Sequence, residues 1–203
     1  ILRDAIPPEA PERRMLDIHM EEIDRLAQTA ERFLTFARPA PSDRRPLDLR
    51  GVVQRVASLV ETQARKEGVV TALDRYDGGE PPTVMGDADQ LTQLLLNIAI
   101  NGVQAMAGRG GGMLSFFVSP ERQGEKRYFR AGLRNNGPPI PADQLERIFD
   151  PFYTTKDGGT GLGLSICSRI ADQHDGLLSV RNLPEGRGVE FTLALPAGGG
   201  KDA

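Results

Sequence analysis

Lys156-Asp157-Gly158-Gly159-Thr160-Gly161-Leu162-Gly163-Leu164-Ser165 is a glycine-rich turn that runs straight into an expected helix, from about Leu162 to Gln173. Without a Cβ, glycine lets backbone N–H groups come close to an anion, and a helix start adds unpaired donors and the positive end of a dipole. The ligand this favours is a phosphate chain, although a turn of this kind alone is equally well read as flexible and empty. No Gly-Lys-Ser/Thr follows where a P-loop needs it, and the turn does not sit early in a βαβ unit, so the two commonest phosphate fingerprints are excluded.

Just upstream, Arg147-Ile148-Phe149-Asp150-Pro151-Phe152-Tyr153-Thr154-Thr155-Lys156 supplies aromatics that suit a core. Two hydroxyls and an ammonium, on Thr154, Thr155 and Lys156, lie next to the glycines. Further back, Arg134-Asn135-Asn136-Gly137-Pro138-Pro139-Ile140 closes an expected strand with a polar turn, which could hold the edge of a base or be an ordinary turn. Earlier still comes Leu94-Leu95-Leu96-Asn97-Ile98-Ala99-Ile100-Asn101-Gly102-Val103-Gln104-Ala105-Met106. Asn97 and Asn101 are four apart and share one helix face. Amides in an apolar helix need partners or a ligand. Their oxygens are hard neutral donors suited to Mg²⁺, or they bond to neighbouring backbone.

The rest of the pattern alternates helix and strand. Helices are expected at Leu49–Lys66, from an N-cap at Asp87 to about Met106, and near Ala142–Ile148. Strands are expected at Val69–Arg75, Met113–Ser119, Arg127–Arg134, Leu177–Asn182 and Val189–Leu195, with hairpins at Gly124 and at Pro184-Glu185-Gly186. This mixed order predicts an α+β, two-layer sandwich with a mostly antiparallel sheet covered on one side by helices. Before it, Leu16, His19, Ile23, Leu26, Ala30, Phe33 and Ala37 mark the seam of a long helix, which needs a partner to bury it. Pro39, Pro41 and Pro46 end that helix. The domain reading is therefore residues 1–40 helical, 41–48 linker, 49–196 the sandwich and 197–203 a disordered tail.

Bulk properties narrow the function classes. Of the 203 residues 39% are hydrophobic and 26% charged, and the net charge is −3, so a packed core is expected and a dedicated nucleic-acid binder is not. The single cysteine, Cys167, allows no internal disulfide and fits a reducing, cytoplasmic setting. No apolar run approaches the roughly 20 residues of a membrane span. The chain opens on Ile1 without a Met, as a piece of something longer.

Taken together and in order, the four segments resemble the N, G1, F and G2 boxes of the histidine-kinase catalytic domain, over roughly Pro46 to Pro196. The preceding helix resembles the second helix of that family's dimerisation and phosphotransfer hairpin. The resemblance implies a Bergerat-type ATP-binding fold, ATP and Mg²⁺ as cofactors, and Asn97 and Asn101 as the pair holding Mg²⁺ and phosphates. It implies Asn135 and Gly137 at the base, and Thr154, Thr155, Lys156, Gly159, Thr160, Gly161, Leu162, Gly163 and Leu164 around the nucleotide, with Asn97, Asn101 and Lys156 the catalytic candidates. The short lid from Tyr153 to Thr160 is similar to that of nitrogen-regulation sensors. The implied activity is protein-histidine kinase, with a response-regulator receiver domain as partner, a homodimer in the full-length protein, and a cytoplasmic location, free or as the inner part of a membrane-bound sensor.

Three departures qualify this. Hydrolysing relatives carry a glutamate where Asn97 stands, and an amide is no general base at neutral pH, which favours transfer over hydrolysis. The usual base-reading aspartate is Asn135, and Pro139 replaces a glycine, so weaker or less selective nucleotide binding is expected. No acceptor motif is present. His19 reads as a packing residue and His174 as a helix-end residue, so autophosphorylation is not expected from this chain alone. The alternative is a non-catalytic pseudokinase, a nucleotide-sensing dimeric interaction module.

Overall fold

The computed structural model describes residues 12–20, 22, 23, 27, 42–156 and 159–198. The chain divides into two compact units, residues 1–40 and 41–203. In the first, residues 12–20, 22, 23 and 27 are helical. Of the expected seam, Leu16 is half-buried while His19 and Ile23 are exposed. His19 Nδ1 lies 2.7 Å from the Met15 carbonyl oxygen one turn back. Leu26, Ala30, Phe33 and Ala37 lie outside the described residues.

The second unit runs β1 (Arg45–Asp48), α1 (Leu49–Lys66), β2 (Val69–Leu73), β3 (Thr83–Gly86), α2 (Ala88–Met106), β4 (Gly112–Gln123), β5 (Lys126–Asn135), α3 (Ala142–Leu145), a 3-10 turn (Arg147–Phe149), α4 (Gly163–Gln173), β6 (Leu177–Asn182) and β7 (Val189–Pro196). Five strands form one sheet in the order β2-β4-β5-β7-β6. The β2–β4 pair is parallel and the others antiparallel. This is the mixed α/β sandwich the element order predicts.

Periodicity explains the layers. Leu49, Val52, Val53, Val56, Val60 and Ala64 make the buried stripe of α1, and Leu91, Leu94, Leu95, Ile98, Ala99, Val103 and Met106 that of α2. Against them the sheet offers every second residue: Leu114, Phe116 and Val118 from β4, Phe129, Ala131 and Leu133 from β5, Phe191, Leu193 and Leu195 from β7. Each large apolar side chain so buried contributes about 1.5–3 kcal/mol of transfer free energy. Helix α2 is fixed at its start by Asp87, whose carboxylate accepts from Asp89 N at 3.0 Å, Gln90 N at 3.1 Å and Asp43 N at 3.0 Å. The Asp87 N–H itself donates to His174 Nε2 at 2.9 Å, and His174 Nδ1 sits 2.8 Å from the Ile170 carbonyl oxygen. His174 does more than close α4. Buried, it ties the end of α4 to the start of α2.

The other sheet face carries an ionic row. Arg181, Glu190 and Arg134 are register neighbours on β6, β7 and β5. Glu190 is 1% exposed and bonds Arg134 at 2.6 Å and Arg181 at 2.7 Å. The Arg134 guanidinium also lies 4.3 Å from the Phe117 ring centroid. Burial pushes the Glu190 carboxyl up, but the hydrogen bonds and charges of Arg134 and Arg181 outweigh this and hold it below the ordinary 4.5. Its stabilisation is therefore full above that value and is lost as pH falls through the depressed native one. Urea unfolding of the wild type and Glu190→Gln should differ by about 3 kcal/mol at pH 7 and converge as the pH is lowered through the acid range. A constant difference would show that the charge is not what matters.

Two expectations need correcting. The linker expected over 41–48 ends in strand β1, which pairs antiparallel with an unforeseen β3, Pro46 opposite Met85 and Leu47 opposite Val84. The tail expected from 197 begins ordered: Ala197 bridges Val84, and Gly198 N–H donates to the Thr83 carbonyl at 2.7 Å. Residues 199–203 lie outside the described residues. Among the described residues no helix is long and apolar enough to cross a membrane.

Candidate nucleotide site

Helix α2 presents Asn97, Asn101 and Gln104 at spacings of four and three, hence on one face. Asn101 and Gln104 converge on one cation. Lys156 Nζ donates to Asn101 Oδ1 at 2.9 Å and to Gln104 Oε1 at 2.6 Å. Lys156 is an exposed residue overall, yet desolvation of its ammonium between the two amides lowers its pKa. Asn97 has a different neighbour. Half-buried, it lies close to the Cys167 thiol of α4, which donates to the Gly163 carbonyl at 3.1 Å and to the Leu94 carbonyl at 3.5 Å. Burial pushes the Cys167 thiol up to about 12, so it is a packing group and not a nucleophile.

The glycine turn is folded onto the aromatic segment. Phe152 N–H donates to the Gly161 carbonyl at 3.0 Å. Gly161 has φ +66, and a Cβ there would run into the Phe152 backbone. Lys156 N–H donates to Thr154 Oγ1 at 3.1 Å. Helix α4 then opens with Leu162 at its cap position, which has no side-chain oxygen to offer its first N–H groups. Asp157 and Gly158 lie outside the described residues, Thr155 and Gly159 are exposed, Thr160 and Leu164 half-buried, and Leu162 is buried.

The third edge is the turn after β5. Asn135 is 4% exposed and its Oδ1 accepts from Gly137 N at 3.0 Å. Asn136 Oδ1 accepts from Met113 N at 2.7 Å. Asn182 grips the proline turn, bonding both the Ile140 N–H at 2.9 Å and its carbonyl at 2.7 Å. Gly137 lies close to Met106 and Ala105 of α2, and Gly102 faces Asn135.

The structure thus joins Lys156 to Asn101 and sets Asn135 with Gly137 beside the same helix, while the Lys156 hydrogen bonds run to Asn101 and Gln104 and not to Asn97. Gln104 was not singled out from the sequence, although its i+3 offset from Asn101 marks it. Gly188 was also missed. With φ +124, it packs so tightly against the Asn135 carbonyl that a Cβ would overlap it, and the Gly-Arg-Gly before β7 was the available signal. The residues present suit a Mg–nucleotide. Asn101 Oδ1 already faces a cation, and α4 offers an uncapped start. No cluster of three or more His, Cys, Asp or Glu stands ready to hold a metal among the described residues, so amide oxygens with phosphates and water are the available donor set.

A two-layer sandwich with a glycine turn opening a helix beside an asparagine-bearing helix defines an ATPase-type nucleotide domain. Residues 86–199 match the family of histidine kinase-, DNA gyrase B- and HSP90-like ATPases, and the chain belongs to that family. It is 34% identical over 183 residues to the sensor histidine kinase ZraS of Escherichia coli O157:H7, covering 90% of this chain and 38% of that one. It is 33% identical over 195 residues to the sensory histidine kinase/phosphatase NtrB of Rhodobacter capsulatus, covering 90% and 52%. Among solved structures it resembles the nucleotide-free catalytic domain of histidine kinase ThkA, at 31% identity and TM-score 0.66 over 76% of this chain and 96% of that one. ThkA in complex with the response regulator TrrA matches at 26% identity and TM-score 0.71, over 95% and 53%. The chain spans between about a third and a half of the length of these curated relatives.

Proposed function

We propose that this chain is the catalytic region of a sensor histidine kinase, binding ATP with Mg²⁺ and passing the γ-phosphate to a histidine outside this sequence, for relay to a response-regulator aspartate. The observation that carries this is the cluster in which Lys156 donates to Asn101 and Gln104 of α2 at 2.9 and 2.6 Å, with an amide, Asn97, where a hydrolase needs a base. The family and its sensor-kinase relatives support the class of reaction. Asn101, with Asn97 as the other candidate, would hold Mg²⁺, which when bound neutralises charge on the phosphates. Lys156, held against Asn101 and Gln104, would add a positive charge, and the first N–H groups of α4 would bind phosphate oxygens. Asn135 and Gly137 hold the base. With an amide at position 97 in place of a carboxylate, no base stands there to activate water, and the acceptor imidazole must act as its own nucleophile.

Transfer in trans tests this. The chain is mixed with ATP and a full-length homologue that keeps its acceptor histidine but cannot bind nucleotide, and acid-labile phosphate on the homologue is measured. Phosphohistidine on the homologue is the expected result. Nucleotide binding without transfer would favour the pseudokinase reading, and label on His19 would contradict the assignment of the acceptor to another segment.

A further inference from the structure

We propose that the base subsite of this chain accepts a 6-oxopurine at least as well as adenine, because Asn135 presents a hydrogen-bond donor to the base. This rests on the nucleotide-site reading above.

Asn135 ends β5 on the helix-facing side of the sheet, paired with Leu114 and Val189. Its Oδ1 accepts from the buried Gly137 N–H at 3.0 Å. A backbone N–H can bond only the oxygen of a carboxamide, so this contact decides which end is which. The atom left over is Nδ2. Among the described residues it makes no hydrogen bond, and it is not sealed away as a buried orphan. It faces α2 at Gly102, where an added Cβ would stand 3.6 Å from it. Nδ2 thus keeps some exposure without a partner among the described residues, and Ala105 and Met106 lie close by around Gly137. A donor beside apolar side chains is the chemistry of a flat heterocycle with an acceptor on its edge.

Adenine offers an amine at position 6, a donor, whereas hypoxanthine and guanine offer a carbonyl there. A carboxylate at position 135 would spend one oxygen on Gly137 N–H and keep the other for the amine. The carboxamide keeps an NH₂. To receive an adenine amine it must turn over, which sets its NH₂ against Gly137 N–H and leaves that buried donor unpaired. An unpaired buried donor lowers affinity roughly tenfold to a hundredfold. A 6-carbonyl meets Nδ2 without any rearrangement.

The experiment is calorimetric titration of the whole chain with MgADP and MgIDP, diphosphates chosen so that no turnover intervenes. IDP is expected to bind as tightly as ADP or more tightly, and Asn135→Asp to shift the ADP-to-IDP affinity ratio at least tenfold towards ADP. A wild-type preference for ADP overturns the base assignment while leaving the nucleotide site standing. Failure of both nucleotides to bind overturns the nucleotide site, and this proposal with it. The wild-type ratio decides the matter even if the variant does not fold.

Discussion

Asn101→Ala is expected to lower phosphate transfer in trans by about 10²-fold or more with little change in stability. Asn101 is half-exposed on α2, outside the stripe of Leu94, Leu95, Ile98 and Val103 that packs the helix down. Its removal creates no large cavity and should cost under about 1 kcal/mol in urea unfolding. The effect falls on charge. Lys156 keeps Gln104, at 2.6 Å, but loses the Asn101 oxygen, at 2.9 Å. Asn101→Asp separates the two roles of that oxygen. It retains an oxygen ligand but converts the 2.9 Å contact with Lys156 into an ion pair, so nucleotide must compete with it. Transfer rates within threefold of wild type for Asn101→Ala would remove this residue from the site.

Gly188→Ala is expected to be the most destabilising small substitution in the domain, at about 3 kcal/mol or more. The backbone there, at φ +124, is one L residues rarely adopt, and the new methyl would overlap the Asn135 carbonyl and crowd Asn136. Strain of this kind costs about 1–3 kcal/mol, and overpacking adds about 1–3 kcal/mol. For a domain of this size that corresponds to a Tm lower by roughly 10 °C. Gly186→Ala is the control. Its φ is also positive, +67, but nothing lies within 4 Å of an added Cβ, so about 1–2 kcal/mol is expected. Equal losses in the two variants would mean that the close approach to Asn135 carries no weight.

Local signals explain what could be read in advance. Helices α1 and α2 carry long apolar stripes, α2 behind its Asp87 cap, and β6 and β7 flank a marked turn, so pattern and turn chemistry agree. The β1–β3 ribbon left no such trace. Each strand is four residues long and largely exposed or mixed, and Pro46 argued for a linker although an edge strand tolerates it. Within the candidate site the local signals were the i, i+4 amides and the alternate glycines. The meeting of Lys156 with Gln104 was not one, because 52 residues separate them. Nor was the orientation of the Asn135 amide, which depends on the turn placing Gly137 N–H beneath it.

The small ribbon has a bearing on modularity. Strand β3 has β1 on one side, through Leu47 and Val84, and the departing chain on the other, through Val84 and Ala197. Incoming and outgoing backbone therefore stand about two strand spacings apart, roughly 10 Å. A unit with its two ends this close behaves as a cassette. Ends this close are the geometry that circular permutation tolerates, here by a short connection from Gly198 back to Asp43.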